Sequence, residues 1–173
     1  TKYTYDGNGN RLTETDAFGH TTTSEYDAAG NLISETNAAG GVTTYRYDAQ
    51  GFPISVTDAA GATQTYRYDV MGNMIERTLP NDATIRTDYD ESGNVIREVN
   101  ELGGETTVEY DLLGRIIAIT DPMGAATAYS YDANGNLLSV TDALRHATKY
   151  TYDKDGNLTS ETDALGNRVQ YAY

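Results

Sequence analysis

The sequence contains no cysteine, no tryptophan and only three prolines among its 173 residues. Without cysteine, the chain can build neither a disulfide framework nor a thiolate metal site nor a cysteine nucleophile. No apolar run approaches the roughly 20 residues of a membrane-spanning helix, and no basic-then-apolar signal segment opens the chain. Lysine and arginine number 12 against 26 acidic residues, which gives a net charge of -14. That charge argues against nucleic acid or an anionic membrane as a partner, because both need a basic surface.

Residues that favour strands and turns are abundant instead. The chain has 15 tyrosines and 17 glycines, together with many threonines, asparagines and aspartates. Tyrosine and threonine are enriched in strands, whereas asparagine, aspartate and glycine form turns. The composition therefore predicts an all-β protein.

The pair Tyr-Asp recurs every 21 residues, eight times and without an insertion, and a glycine follows each of these tyrosines four residues later. The shared positions are Tyr5, Asp6 and Gly9; Tyr26, Asp27 and Gly30; Tyr47, Asp48 and Gly51; Tyr68, Asp69 and Gly72; Tyr89, Asp90 and Gly93; Tyr110, Asp111 and Gly114; Tyr131, Asp132 and Gly135; and Tyr152, Asp153 and Gly156. Such strict spacing predicts that every copy does the same mechanical job. We interpret residues 1–173 as one repeat region, and because Thr1 already lies inside the pattern, we expect a fragment of a larger protein.

Each copy carries a second turn signal, Asp-x-x-Gly, as in "DAFG" (16–19) and "DALG" (163–166). The aspartate is expected to accept hydrogen bonds from turn amides, and the glycine to take the left-handed conformation that closes a hairpin. The segments between turns alternate with period two, as strands do. The sequence thus predicts a repetitive antiparallel β-hairpin meander of about 16 strands. Because sheets beyond roughly 10 strands curl or close, we expect a curved strip with an exposed edge at each end.

The pairing register poses a problem of parity. With equal loops, a tyrosine would face Leu137 through one turn and Leu138 through the other, and these neighbours point in opposite directions. We therefore expect one hairpin to be odd and the other even. As the companions of the tyrosines we favour the register that is apolar in seven of eight copies, over the preceding one, which is apolar in six. The favoured register comprises Leu12, Ile33, Ile54, Ile75, Ile96, Ile117 and Leu138.

Three second turns depart from the pattern. The fourth copy reads "LPND" (79–82), the fifth "NELG" (100–103), and the seventh has Arg145 at the glycine position. We expect a different loop shape at these places, and a local site would be sought there first.

A copy reading Tyr-Asp-x-x-Gly-Asn-Leu, then Thr-Asp-Ala-x-Gly, then Thr-x-Tyr-x-Tyr-Asp resembles the YD repeat of Rhs proteins over essentially the whole chain. That family includes bacterial Rhs polymorphic toxins, shell components of Tc toxins, wall-associated proteins and teneurins. The resemblance implies a strip that spirals into a β-shell, and a structural, non-enzymatic role in enclosing or displaying a C-terminal toxin or effector domain. It implies as partners the neighbouring repeats and the enclosed domain, and a secreted or cell-surface location. The sequence shows no shell-closing core segment, no aspartyl self-cleavage site and no toxin domain.

Other readings of the same residues stay open. The loop "DGNGNR" (6–11) has the composition of a calcium loop, but "DAAGN" (27–31) lacks the middle ligand, which favours a plain turn. His20 and His146 lie six copies apart and are expected to be solvated strand residues, and we expect no enzymatic activity, cofactor or metal. The tyrosines Tyr45, Tyr66, Tyr129 and Tyr150 favour cross-strand packing, with stacking on carbohydrate in a cell-surface adhesin as the alternative.

Overall fold

The computed structural model describes residues 1–173 and consists of strands joined by tight turns. It has 17 antiparallel strands, and the strand beyond the predicted 16 is β1, which precedes the first full copy. The prediction of an all-β hairpin meander is confirmed, whereas the curvature of the strip stays a prediction. None of the elements is a helix long and apolar enough to cross a membrane.

The chain forms two compact units, Thr1–Arg86 and Thr87–Tyr173, and strand β9 contributes to both. The first unit contains β1 (Lys2–Tyr5), β2 (Arg11–Thr15), β3 (Thr21–Tyr26), β4 (Leu32–Thr36), β5 (Val42–Tyr47), β6 (Pro53–Thr57), β7 (Thr63–Tyr68), β8 (Met74–Thr78) and the start of β9 (Thr84–Tyr89). The second contains the end of β9, then β10 (Val95–Val99), β11 (Glu105–Tyr110), β12 (Ile116–Thr120), β13 (Ala126–Tyr131), β14 (Leu137–Thr141), β15 (Ala147–Tyr152), β16 (Leu158–Thr162) and β17 (Arg168–Gln170).

Both turns of a copy have the same hydrogen-bonded form. In the first turn, the Asp132 amide donates to the Asn136 carbonyl at 2.9 Å, and the Gly135 amide donates to the Asp132 carbonyl at 3.1 Å. The second turn repeats these bonds between Asp163 and residues 166 and 167. In each, a type I turn is followed by a glycine in the left-handed region, with φ of 92° at Gly135. The two loops are therefore equal in length, and the odd and even registers expected of the two hairpins cannot come from the loops.

A β-bulge in seven of the eight hairpins with a first turn settles the parity instead. Ser130 pairs with Ser139 but the next residue, Tyr131, pairs with Leu137, so that Leu138 is skipped. The skipped residues are Leu12, Ile33, Ile54, Ile75, Ile117, Leu138 and Thr159. The favoured register of Leu138 is thus wrong as the paired one, because the Cα partner of Tyr131 is Leu137. A bulge sets two residues opposite one, which explains why both registers are apolar.

No hydrophobic side chain of the molecule is fully buried; the buried residues are Ser24, Thr87 and Ser160. In β5 the side of Tyr45 and Tyr47 is half-buried, while the intervening Arg46 is exposed. Stability must therefore come from the backbone ladder and from cross-strand pairs, each worth roughly 0.2–1 kcal/mol, and not from a central core.

The three irregular second turns keep the common loop, so the expected difference in shape is wrong. Asp82 and Arg145 take the glycine's left-handed conformation, with φ of 64° and 66°, and their amides make the usual bonds to Leu79 and Asp142. The turn at 100–103 forms the same pair of bonds. The repeat imposes the loop, and the non-glycine residues bear the strain.

We predict that Arg145→Gly raises the free energy of unfolding by about 1 kcal/mol, because a non-glycine residue pays roughly that penalty in the left-handed region. Asp82→Gly should give a smaller gain, since aspartate tolerates this conformation better. Gly166→Ala, the reverse change at an equivalent position, should destabilise. Thermal and denaturant unfolding measure all three, and an unchanged or lower midpoint for Arg145→Gly would contradict the prediction.

Candidate functional site

The turn aspartate binds the turn that it opens. The Oδ1 atom of Asp132 accepts the backbone amides of Asn134 and Asn136, both at 2.9 Å, and its Oδ2 atom accepts the Asn136 side-chain amide at 2.9 Å. The same Oδ1 bonds to the amides two and four residues on are made by Asp6, Asp16, Asp27, Asn37, Asp48, Asp58, Asp69, Asp90, Asn100, Asp111, Asp121, Asp142, Asp153 and Asp163. These side chains serve as internal caps of the turns.

These hydrogen bonds favour the charged form of the carboxylates. The side-chain amide of Asn157, with two backbone amides, holds the pKa of Asp153 below its ordinary value of 3.8. The pKa of Asp163 is lowered in the same way, chiefly by Asn167. The Oδ1 atom of such a carboxylate accepts two hydrogen bonds and Oδ2 accepts one, so the carboxylate is held against its own turn. Groups of three or more acidic or histidine side chains that could hold a metal ion do not occur.

One tyrosine row binds the backbone of the preceding copy. The Tyr47 hydroxyl donates to the Leu32 carbonyl at 2.9 Å, and Leu32 is the residue at which the bulge of β4 begins. A bulge interrupts the ladder, and a backbone carbonyl left there needs another donor. The same contact, always to the residue 15 positions earlier, joins Tyr26 to Arg11, Tyr68 to Pro53, Tyr110 to Val95 and Tyr131 to Ile116. Each tyrosine thus ties one copy to the bulge of its neighbour.

The other tyrosine row contains the four carbohydrate candidates. All four rings are half-buried; Tyr45 lies opposite Val56 and Tyr129 opposite Val140. Burial, with Glu35 close by, raises the pKa of Tyr45. The Tyr66 hydroxyl reaches only Gln64 at 3.4 Å, in an open depression of about 770 Å³. Cross-strand packing accounts for these positions, and carbohydrate stacking stays a prediction.

The residue after the first-turn glycine contacts the next copy, a role that the sequence analysis missed. Phe52 stacks on Tyr68, with ring centroids 5.0 Å apart. Arg115 lies 4.8 Å above the Tyr131 ring and donates to the Asp132 carbonyl at 3.0 Å. The available signal was the replacement of the usual asparagine at this position by a large planar side chain.

The two histidines were expected in strands, but each lies in the turn just before one. The Nδ1 atom of His20 is 2.8 Å from Oδ2 of Asp16, and that of His146 is 2.9 Å from Oδ2 of Asp142. Both side chains are exposed, and each takes the place that asparagine holds in other turns. No nucleophile is paired with either, and the absence of enzymatic activity stays a prediction.

We predict that Tyr47→Phe lowers the free energy of unfolding by about 1 kcal/mol, because it removes the donor of the Leu32 carbonyl and leaves the ring in place. Tyr45→Phe is the matched control: its hydroxyl binds no protein group, and a change within about 0.5 kcal/mol is expected. Equal effects of the two variants in denaturant unfolding would show that the bulge contact does not contribute.

Stability should fall below about pH 3.8. Folding lowers the pKa of the turn aspartates, so their contribution is complete above the ordinary value of 3.8 and is lost as the pH falls through the lower folded values. Asp163→Asn with Asn167→Gly, which copies the natural pair Asn37 and Gly41, should flatten the acid limb of a plot of melting midpoint against pH. The charge-matched control is Asp155→Asn, whose carboxylate accepts no hydrogen bond; an identical limb in both variants would refute the turn origin.

The RHS Repeat family matches residues 26–63, 49–84, 89–126, 110–147, 131–168 and 152–173. No curated protein matches the chain. Among solved structures, a chain of the Tc holotoxin pore of Photorhabdus luminescens is similar, with 21% identity and a TM-score of 0.65 over 89% of this chain and 10% of that one. A chain of the TcdB2-TccC3 structure shares 19% identity, with a TM-score of 0.69 over 96% of this chain and 12% of that one.

A TcdB2-TccC3-Cdc42 structure gives 21% identity and a TM-score of 0.67 over 87% of this chain and 10% of that one. The chain thus spans about a tenth of the length of these proteins, and at such identities the likeness establishes the fold alone. The family matches, in contrast, cover most of the sequence and follow its 21-residue copies. The chain therefore belongs to the RHS repeat family.

Proposed function

We propose that this chain is a wall segment of a Rhs-type β-shell, which encloses or displays a C-terminal toxin or effector domain of its parent protein. The observation that carries the proposal is a hydrogen bond that five repeat tyrosines donate to a backbone carbonyl of the preceding copy, always 15 positions earlier. These tyrosines are Tyr26, Tyr47, Tyr68, Tyr110 and Tyr131. The repeated tyrosine side chain therefore serves to join neighbouring copies. A repeat of this kind makes a continuous surface and not a pocket.

The distribution of exposure supports the same role. Without a fully buried hydrophobic residue, the repeats have a layer of half-buried side chains but no enclosed interior of their own. Within its unit, β1 pairs only with β2, and β17 only with β16. Repeat arrays need further repeats or caps at their ends, and strand edges left open associate with others. We therefore propose neighbouring repeats of the parent protein as the direct partners, with edge-to-edge self-association of the isolated segment.

The similar Tc toxin structures support the enclosing role by fold, since the chain aligns with them over most of its own length. We propose that the segment is exported with its parent and acts outside the cytoplasm, as a secreted or surface-bound container. The mechanism is geometric: turns and tyrosine contacts hold the wall, and the wall keeps proteases and other proteins from the domain behind it.

Limited proteolysis of the full-length parent protein tests this proposal. The C-terminal domain should resist digestion in the parent and be cut when it is produced alone. In the parent, Tyr47→Phe combined with Tyr110→Phe and Tyr131→Phe should loosen the wall and shorten the lifetime of the C-terminal domain. The matched control combines Tyr45→Phe with Tyr129→Phe. A C-terminal domain that is cut as fast in the parent as alone would sink the proposal.

A further inference from the structure

The left-handed backbone of Arg145 costs free energy, and no contact of its side chain within the protein offsets that cost. It occupies the glycine position of its turn at φ 66°, and its exposed side chain makes no hydrogen bond, ion pair or ring contact within the protein. Strain that the fold does not need is typical of functional positions. This residue therefore directs attention to its surroundings in the second unit.

Two further cations lie on one face of the strands that follow this turn, Lys149 in β15 and Arg168 in β17. Thr162 is paired with Lys149 across one ladder and with Arg168 across the other, so the three side chains form a row on the same face. With strands about 4.8 Å apart, the two cations flank the threonine at a total separation of roughly 10 Å. Of the equivalent trios elsewhere, that of Thr44, Thr57 and Thr63 carries no cation, that of Lys2, Thr15 and Thr21 carries one, and none carries two.

The three cations are unpaired in an acidic protein. Some strand arginines elsewhere form ion pairs, Arg67 and Arg86 with Glu76 and Arg97 with Asp88 and Glu105, whereas Arg46 and Arg77 form none. Arg145, Lys149 and Arg168 form none, although acidic residues outnumber basic ones by 26 to 12. The Thr162 hydroxyl likewise has no hydrogen-bond partner. The local groups that remain free are therefore all able to donate hydrogen bonds.

The carboxylates that open the two turns here, Asp142 and Asp163, already accept hydrogen bonds. Asp142 accepts the Nδ1 atom of His146 at 2.9 Å, and Asp163 accepts the side-chain amide of Asn167 at 2.7 Å, in addition to their turn amides. Arg145, Lys149 and Thr162 line a depression of about 350 Å³ together with Asp163. An entering anion would thus meet these donors together with the charged carboxylate of Asp163, which already accepts three hydrogen bonds, while Arg168 flanks Thr162 beside the depression.

We infer that this corner, formed by Arg145, Lys149, Thr162 and Arg168, binds a tetrahedral oxyanion, phosphate or sulfate, either free or carried on a sugar. Guanidinium groups match the oxygens of such anions in a fork, and ammonium and hydroxyl groups supply further donors. The net charge of -14 opposes approach from a distance. At 0.15 M salt, however, repulsion is screened beyond about 8 Å, so the adjacent cations dominate at the site.

Titration of the protein with inorganic phosphate and with inorganic sulfate in 0.15 M NaCl, followed by amide chemical shifts, tests the inference. Saturable shifts are expected at residues 145–149 and 162–168. Arg145→Gly should weaken binding roughly tenfold, as loss of a charge-assisted contact does, while its melting midpoint rises. Lower affinity in a more stable protein cannot be attributed to unfolding. Lys149→Thr, which copies Thr44 and Thr65, should weaken binding similarly.

Asp82→Gly is the matched control, because it relieves the same backbone strain in the other unit and leaves these cations in place; its affinity should equal that of the parent chain. A sulfated oligosaccharide and its unsulfated form separate the two sources of the anion. Tighter binding of the sulfated sugar than of free sulfate, lost in Arg145→Gly, supports a carried group, and equal binding supports a free one. Absence of saturable shifts with all probes, or unchanged affinity in Arg145→Gly, overturns the inference.

Discussion

The repeat must return its tyrosines to one face of the sheet, although 21 is an odd number and strand side chains alternate. The two turns have the same loop, and their centres, Asn8 and Phe18, lie ten residues apart. Without a bulge, pairing through two such hairpins in succession would align each residue with the residue 20 positions later. The equivalent residue of the next copy is 21 positions later, so its side chain would point to the opposite face. The bulge changes this advance to 19, as from Thr4 through Thr13 to Thr23. The aligned residue then lies two positions before the equivalent residue of the next copy, so both side chains point to the same face of the sheet.

The remaining constant residues follow from that solution. The bulge interrupts the ladder at the residue represented by Leu32, and the tyrosine of the next copy, Tyr47, donates to the carbonyl there. The identical loops need a residue in the left-handed conformation, which glycine supplies. The backbone amides of the loop that have no backbone partner donate to the aspartate side chain. Tyrosine, aspartate and glycine are therefore three consequences of one register, and their 21-residue period is the period of the bulge.

Sequence alone predicted the period, the antiparallel strands and the turns, because these depend on residue types with strong local preferences. It could not predict the bulge, since Leu137 and Leu138 are both apolar and the pattern treats them as rival registers. A missing residue in the loop and an extra residue in the strand have the same effect on parity. The contacts of Phe52 and Arg115 escaped for another reason: they join copies, and adjacency of copies follows only from the ladder.

Departures between copies come in two kinds: some substitutions are compensated within the same turn, and one is not. Where asparagine opens a turn, a second glycine follows the left-handed one. A Cβ at Gly41 would lie 2.8 Å from the side-chain amide nitrogen of Asn37, and a Cβ at Gly104 would lie nearly as close to that of Asn100. These are paired changes that preserve the loop. The turn of Asp82 lacks the opening aspartate but is partly compensated, because the Asn81 side-chain oxygen accepts the Ala83 amide at 3.2 Å. Arg145 has no such compensation. Uncompensated backbone strain of this kind clusters at functional positions, which is why the anion site is inferred at this turn.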